Sequence, residues 1–151
     1  IPDTTPKAAD QLAERTRNIE ESVTSFSTGV TFSGIWASSI GSIVAGERHG
    51  YTISLLFYLV VAPVTTGTLI TAPAGSIPSG FRPQFPMILP MLVVDDGASI
   101  AGSITLYADG SLVIGISYTN GANGLSYTPS VFQVVGNGGF SPTSVTYLVD
   151  W

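Results

Sequence analysis

The chain has 151 residues, about one domain's worth, and sets 10 acidic against 5 basic side chains for a net charge of −5. Only 10% of its residues are charged while 44% are hydrophobic, and 17 glycines and 10 prolines punctuate it. That composition excludes a disordered tail, a long coiled coil and a collagen-like chain, and it requires a large dry surface, in a membrane or between subunits.

Taken in chain order, Thr5 and Pro6 suit the N-cap and first position of a helix over residues 6–26. With Ala9, Thr16 and Val23 at heptad position a, the d positions are Leu12, Ile19 and Phe26. Arg15 then falls at g and Glu20 at the next e, the spacing of an inter-chain ion pair in a parallel coil. The pattern predicts a parallel bundle seamed by Leu12, Ile19, Val23 and Phe26. A single amphipathic helix lying on its own domain is the alternative. Residues 1–28 therefore read as a helical shoulder and residues 29–151 as a separate head. A start at Ile1 rather than Met points to a fragment or a processed product.

From Gly29 onward the pattern holds strands and turns only. Val30–Trp36 is a first strand. Tyr51–Ala62 alternates at first and then turns apolar on both faces, as a strand buried on both sides does. Met87–Val94 is of the same type, with Pro90 marking an edge or bulge. Gly102–Tyr107 and Ser111–Tyr118 flank Ala108-Asp109-Gly110, a hairpin signal. Val131–Val135 and Ser144–Asp150 complete the set. Short strands between Gly, Pro and Asn turns predict a mainly β fold, an antiparallel β-sandwich or jelly-roll-like head behind the short N-terminal helix. The longest apolar run, Ile53 to Ala62, is broken by Ser54 and ended by Pro63, whereas a spanning helix needs about 20 residues. Membrane insertion is therefore not expected, and association between subunits accounts for the apolar excess.

The residues for catalysis are sparse. Cysteine is absent, which removes disulfides, thiolate metal sites and cysteine nucleophiles. The one histidine, His49, sits in Glu47-Arg48-His49-Gly50 and reads as a turn before a strand. Asp95-Asp96-Gly97 could hold a hard cation, but adjacent strand residues point to opposite faces and Asp-Gly reads as a turn. There is no phosphate-binding loop, dinucleotide fingerprint or zinc spacing, and no basic patch for nucleic acid. No enzyme activity, metal or cofactor is expected.

What remains is a polar and aromatic surface. Tyr107 and Asp109, with Tyr118, Asn120, Asn123 and Tyr127 of the uncharged loop Tyr118–Tyr127, are the candidate ligand residues. Tyrosine offers a flat apolar face with a polar tip, and asparagine both donates and accepts. Such loops suit neutral or weakly charged sugars; they also suit plain hairpins. In Gly75-Ser-Ile-Pro-Ser-Gly80-Phe-Arg-Pro83 the prolines fix extended backbone, Phe81 can anchor the loop, and Arg82 is one of two cations after residue 28, suited to pairing a carboxylate or carbonyls.

The order of these parts resembles the receptor-binding and tail-fibre proteins of tailed bacteriophages. The resemblance is carried by Ile77-Pro78-Ser79-Gly80-Phe81-Arg82-Pro83 and by the hairpin from Leu106 to Ile114. It also takes in Trp36, the Arg48-His49-Gly50 turn, the strand from Tyr51 to Leu59, and the Pro-led helix from Pro2 to Val23. It implies a homotrimer with a helical shoulder and a jelly-roll-like head that binds a host cell-surface saccharide. It further implies a place at a phage tail tip or fibre among other virion tail proteins. It transfers no binding residue, because the shared motifs look structural. The competing expectation is a structural virion or appendage protein without a ligand.

Overall fold

From Phe26 the sequence alternates. Phe26, Thr28, Val30 and Phe32 fall on one face and Ser25, Ser27 and Thr31 on the other, which is the period of a strand. The structure, a computed structural model, describes residues 23–117 and 129–149. In chain order the strands are β1 (Thr24–Phe32), β2 (Ile40–His49), β3 (Thr52–Phe57), β4 (Val60–Pro63), β5 (Ile70–Ala72), β6 (Met87–Asp95), β7 (Ala98–Leu106), β8 (Leu112–Ile116), β9 (Asn137–Phe140) and β10 (Thr143–Leu148).

They make two antiparallel sheets, β1-β2-β3-β10 and β4-β9-β6-β7-β8-β5. The chain passes between them at Tyr58-Leu59 and again at Ser141-Pro142. Ser33 and Thr71 exchange backbone bonds of 3.0 and 2.8 Å, so β1 runs on into β5 and the sandwich bends toward a half-barrel. The inner faces interleave Val30, Phe32, Val44, Leu55 and Phe57 with Val93, Ile104, Leu112, Ile114 and Phe140, all buried. Phe140 meets Phe32 and Phe57 edge-on, with ring centroids 5.0 and 6.0 Å apart. Trp36 buries its indole and donates Nε1–H to the Gly138 carbonyl at 3.0 Å.

Several expectations change. The helix does not reach residue 26. Strand β1 begins at Thr24 and pairs residue by residue with β2, which takes the sheet into the segment read as a shoulder. Phe26 is therefore not a heptad d position. It lies opposite Gly46, where a Cβ would come within 2.3 Å of its ring, and it packs edge-on against Phe81 at 4.6 Å. Val23, exposed, precedes the strand. Leu12 and Ile19, with the rest of the expected helix, lie outside the described residues.

The expected strand over Tyr51–Ala62 is two strands, β3 and β4, broken where the chain changes sheets. Only one face of β3 is buried, since Leu56 is exposed beside exposed Ile43 on the sheet's outer surface. Pro90 lies within β6, which sits between β9 and β7. On its β9 side it is unpaired, because β9 pairs only with Val93 and Val94, while on the other side it lies opposite Ser103 of β7. Val131–Val135 is not a strand. Phe132 is buried there, and Val131, Val134 and Val135 are exposed.

Candidate functional site

At one end of the sandwich the loop from Gly75 to Pro83 is held by three other elements. Ile77 and Phe81 are buried and anchor it. The Gly75 N–H donates to the Asp109 carbonyl at 2.9 Å and the Ile77 N–H to the Gly110 carbonyl at 3.0 Å, so the loop docks on the β7–β8 turn. That turn is closed by Gly110 N–H to the Tyr107 carbonyl at 3.0 Å. Gly110 has φ 85° and no room for a side chain: a Cβ would lie 2.6 Å from the Ile77 oxygen and 2.8 Å from Arg82 Nε.

Both arginines among the described residues serve this brace. Arg82 donates Nε–H to the Ile77 carbonyl at 2.7 Å. Arg48, at the end of β2, donates Nε–H to the Gly50 carbonyl at 2.8 Å and an Nη1 hydrogen to the Gly80 carbonyl at 2.7 Å. Tyr147 of β10 donates its buried hydroxyl to the Phe81 carbonyl. Burial pushes this phenol well above its ordinary pKa, so it stays protonated and remains a donor. The stretches that carried the resemblance, Arg48-His49-Gly50, Ile77–Pro83 and the Asp109-Gly110 turn, thus meet in one hydrogen-bonded cluster. Replacing Tyr147 by Phe leaves the Phe81 carbonyl without its donor. Tyr147→Phe should cost about 1–3 kcal/mol, read as a lower urea midpoint with an unchanged slope.

The candidate residues separate. Tyr107 is half-buried and faces a groove of about 340 Å³ on the outer side of the larger sheet, with Leu69, Ile88, Thr105, Val113 and Pro129. Asp109 is exposed at the turn, where its Oδ1 accepts the Ser111 hydroxyl at 2.6 Å and the Ser111 N–H at 2.9 Å. Tyr118, Asn120, Asn123 and Tyr127 lie outside the described residues. The Ser111 hydroxyl, then the Ser111 N–H, and less strongly the nearby Arg82, hold the Asp109 carboxyl below its ordinary value of 3.8. A depressed folded value means the carboxylate supports the turn above the unfolded pKa, and that support is lost as pH falls through the folded value. The Ser111 amide signal should therefore titrate below pH 3.8. Asp109→Asn should abolish that transition.

His49 stands at the β2–β3 turn, with Nε2 3.1 Å from Glu47 Oε2 and both side chains exposed. Asp95 is buried and accepts the Gln133 N–H at 3.1 Å, while Asp96 and Gly97 form the two-residue turn between β6 and β7 at φ 51° and 75°. Among the described residues no three His, Cys, Asp or Glu side chains come together as a metal group.

Sequence reading missed two adjoining clefts beside the braced loop. One, of about 310 Å³, is lined by Ser79, Gly80, Arg82, Pro83, Gln84 and Ala108. The other, of about 300 Å³, is lined by Gln84, Phe85, Met87, Leu148 and Val149, so Gln84 borders both. Phe85 and Leu148 are 73% and 67% exposed. A larger cleft of about 370 Å³ lies across β1, β2 and β3, floored by Gly46 between Phe26 and Leu55. It holds a carboxylate and hydroxyls but no cation or amide side chain, whereas the loop end brings all of these chemistries together, with Gln84 beside the hydrogen-bonded frame. The only cue in the sequence was Arg82 itself, a rare cation in a proline-rich loop.

No family model matches the chain, and no curated protein matches it. Among solved structures the chain is similar to the reovirus attachment protein sigma1, crystallised in complex with α-2,3-sialyllactose. Identity is 10%, the alignment covers 84% of this chain and 65% of that one, and the TM-score is 0.42. The likeness is loose and assigns neither residue nor ligand to this chain.

Proposed function

We propose that this chain is the head of a homotrimeric receptor-binding protein of a bacteriophage tail fibre, and that it binds a host cell-surface saccharide without catalysing a reaction. The observation that carries the reading is the braced loop end. There, backbone and side-chain hydrogen bonds hold the loop backbone and Arg82 beside open clefts that Ser79 and Gln84 also line, so the backbone and Arg82 lose little ordering entropy on binding. Recognition from loops on a rigid scaffold is the usual arrangement. Trimer formation draws support from apolar side chains left open on both outer faces, Ile43 and Leu56 on one and Ile88 and Leu92 on the other, and from the heptad spacing of Leu12 and Ile19. Buried charges in such a seam would lack partners. Leu12→Asp or Ile19→Asp should therefore reduce the mass found by light scattering, while Arg17→Ala, at an outward heptad position, should leave it unchanged.

The experiment is adsorption of the intact protein to a panel of bacterial strains. Some strains should bind it. Periodate, which cleaves vicinal diols, should abolish that binding, and protease treatment of the cells should not. Adsorption that survives periodate, or none to any strain, contradicts the reading.

A further inference from the structure

We infer that the cleft at Arg82 and Gln84 and the adjoining cleft at Phe85 form one groove for a neutral oligosaccharide, an assignment that rests on the reading of the chain as a saccharide-binding head.

The polar half supplies donors and acceptors in nearly balanced charge. Arg82 is tied through Nε to the Ile77 carbonyl, which orients the guanidinium plane and leaves its Nη hydrogens as donors. Ala108 lines the cleft, and the next residue, Asp109, spends Oδ1 on Ser111 and lies near enough to Arg82 to feel its charge. The exposed Gln84 amide and Ser79 hydroxyl each donate and accept. Arg48, the other cation near the loop, is turned onto the Gly50 and Gly80 carbonyls. The Asp109 carboxylate nearby partly offsets the charge of Arg82. Vicinal hydroxyls of a pyranose both donate and accept, and planar guanidinium, amide and carboxylate groups match them in pairs.

The apolar half supplies a platform. An aromatic ring as exposed as Phe85 has few partners of its own in the chain and presents a flat face to the C–H side of a sugar ring. Each cleft is at the small end of the range of about 300–1,000 Å³ for ligand sites, room for one sugar ring apiece. The shared Gln84 makes the ligand a disaccharide or longer.

The test uses strains that adsorb the intact protein in a periodate-sensitive way. Gln84 and Phe85 are exposed, so Gln84→Ala, Phe85→Ala and the double variant should melt like the parent. The expected result is at least a tenfold loss of adsorption affinity in the double variant, competition by free neutral oligosaccharides of the same surface polymer, and less than a twofold change between 50 and 500 mM NaCl. Full adsorption by the folded double variant overturns the groove while leaving the general reading intact. A tenfold fall with salt, or stronger competition by glucuronate-containing oligosaccharides than by neutral ones, overturns its neutral character. Failure to find any strain with periodate-sensitive adsorption overturns the groove together with the reading beneath it.

Discussion

Phe140→Ala is expected to destabilise the fold by about 3–5 kcal/mol, the range for emptying a buried phenylalanine site. Phe140 is fully buried in β9 and its ring is the bridge between the sheets, edge-on to Phe32 of β1 and Phe57 of β3. Its backbone is also shared, pairing with Val60 of β4 and Val93 of β6. Neighbours in two sheets cannot close a cavity without shifting both, so relaxation recovers little. Urea unfolding gives the value directly. A loss under 1 kcal/mol would show that the sandwich does not pivot on this ring.

The preceding residue offers a second large effect for a different reason. Gly139 has φ 154° in a region open essentially to glycine, and an added Cβ would stand 1.7 Å from the Val60 carbonyl oxygen. Gly139→Ala combines backbone strain with overpacking, each worth about 1–3 kcal/mol, for a total of roughly 2–6 kcal/mol. The clash is with backbone, so no rotamer change relieves it. Amide exchange should quicken first in β4, whose hydrogen-bonded neighbour in the sheet is β9. Unchanged stability would mean that β4 and β9 are spaced more widely than their pairing requires.

These glycines also explain what could be read from the sequence. Strands β7, β8 and β10 announce themselves because alternation and β-branched residues coincide with burial, and β6 by its apolar run, although it is not buried on both faces as expected, since Ile88, Pro90 and Leu92 face outward; the Asp96-Gly97 and Asp109-Gly110 turns fall where the dipeptides place them. Strand β9 runs Asn-Gly-Gly-Phe, a sequence that reads as a turn. It is a strand because Gly138 and Gly139 let Val64 and Val60 approach, a requirement visible only once the sheets are together. Strand β2 was hidden by its glycines too, of which Gly46 makes room for Phe26 and Leu55 while Gly41 faces open space. Conversely, Val131–Val135 has strand composition but only a single buried side chain, Phe132, among its hydrophobic residues. At Phe26 two periods overlapped, and pairing with β2 decided for the strand.

The candidate site was legible in part. Arg82 and Asp109 stood out by type, and the structure sets them at one end. Their meeting depends on bonds from Gly75 to Asp109 and from Ile77 to Gly110, between segments about thirty residues apart, which no local pattern encodes. Gln84 and Phe85 gave no signal, because an exposed aromatic and a core aromatic are spelled alike.

Binding of the intact protein to an array of bacterial surface polysaccharides tests the central claim most directly. The account predicts retention on a subset of neutral polysaccharides, weak per site, near millimolar or about −4 kcal/mol, and strengthened by roughly 10²–10⁴ through linked copies in a trimer. A folded protein that binds none of the polysaccharides, or that follows their charge rather than their sugars, would contradict it.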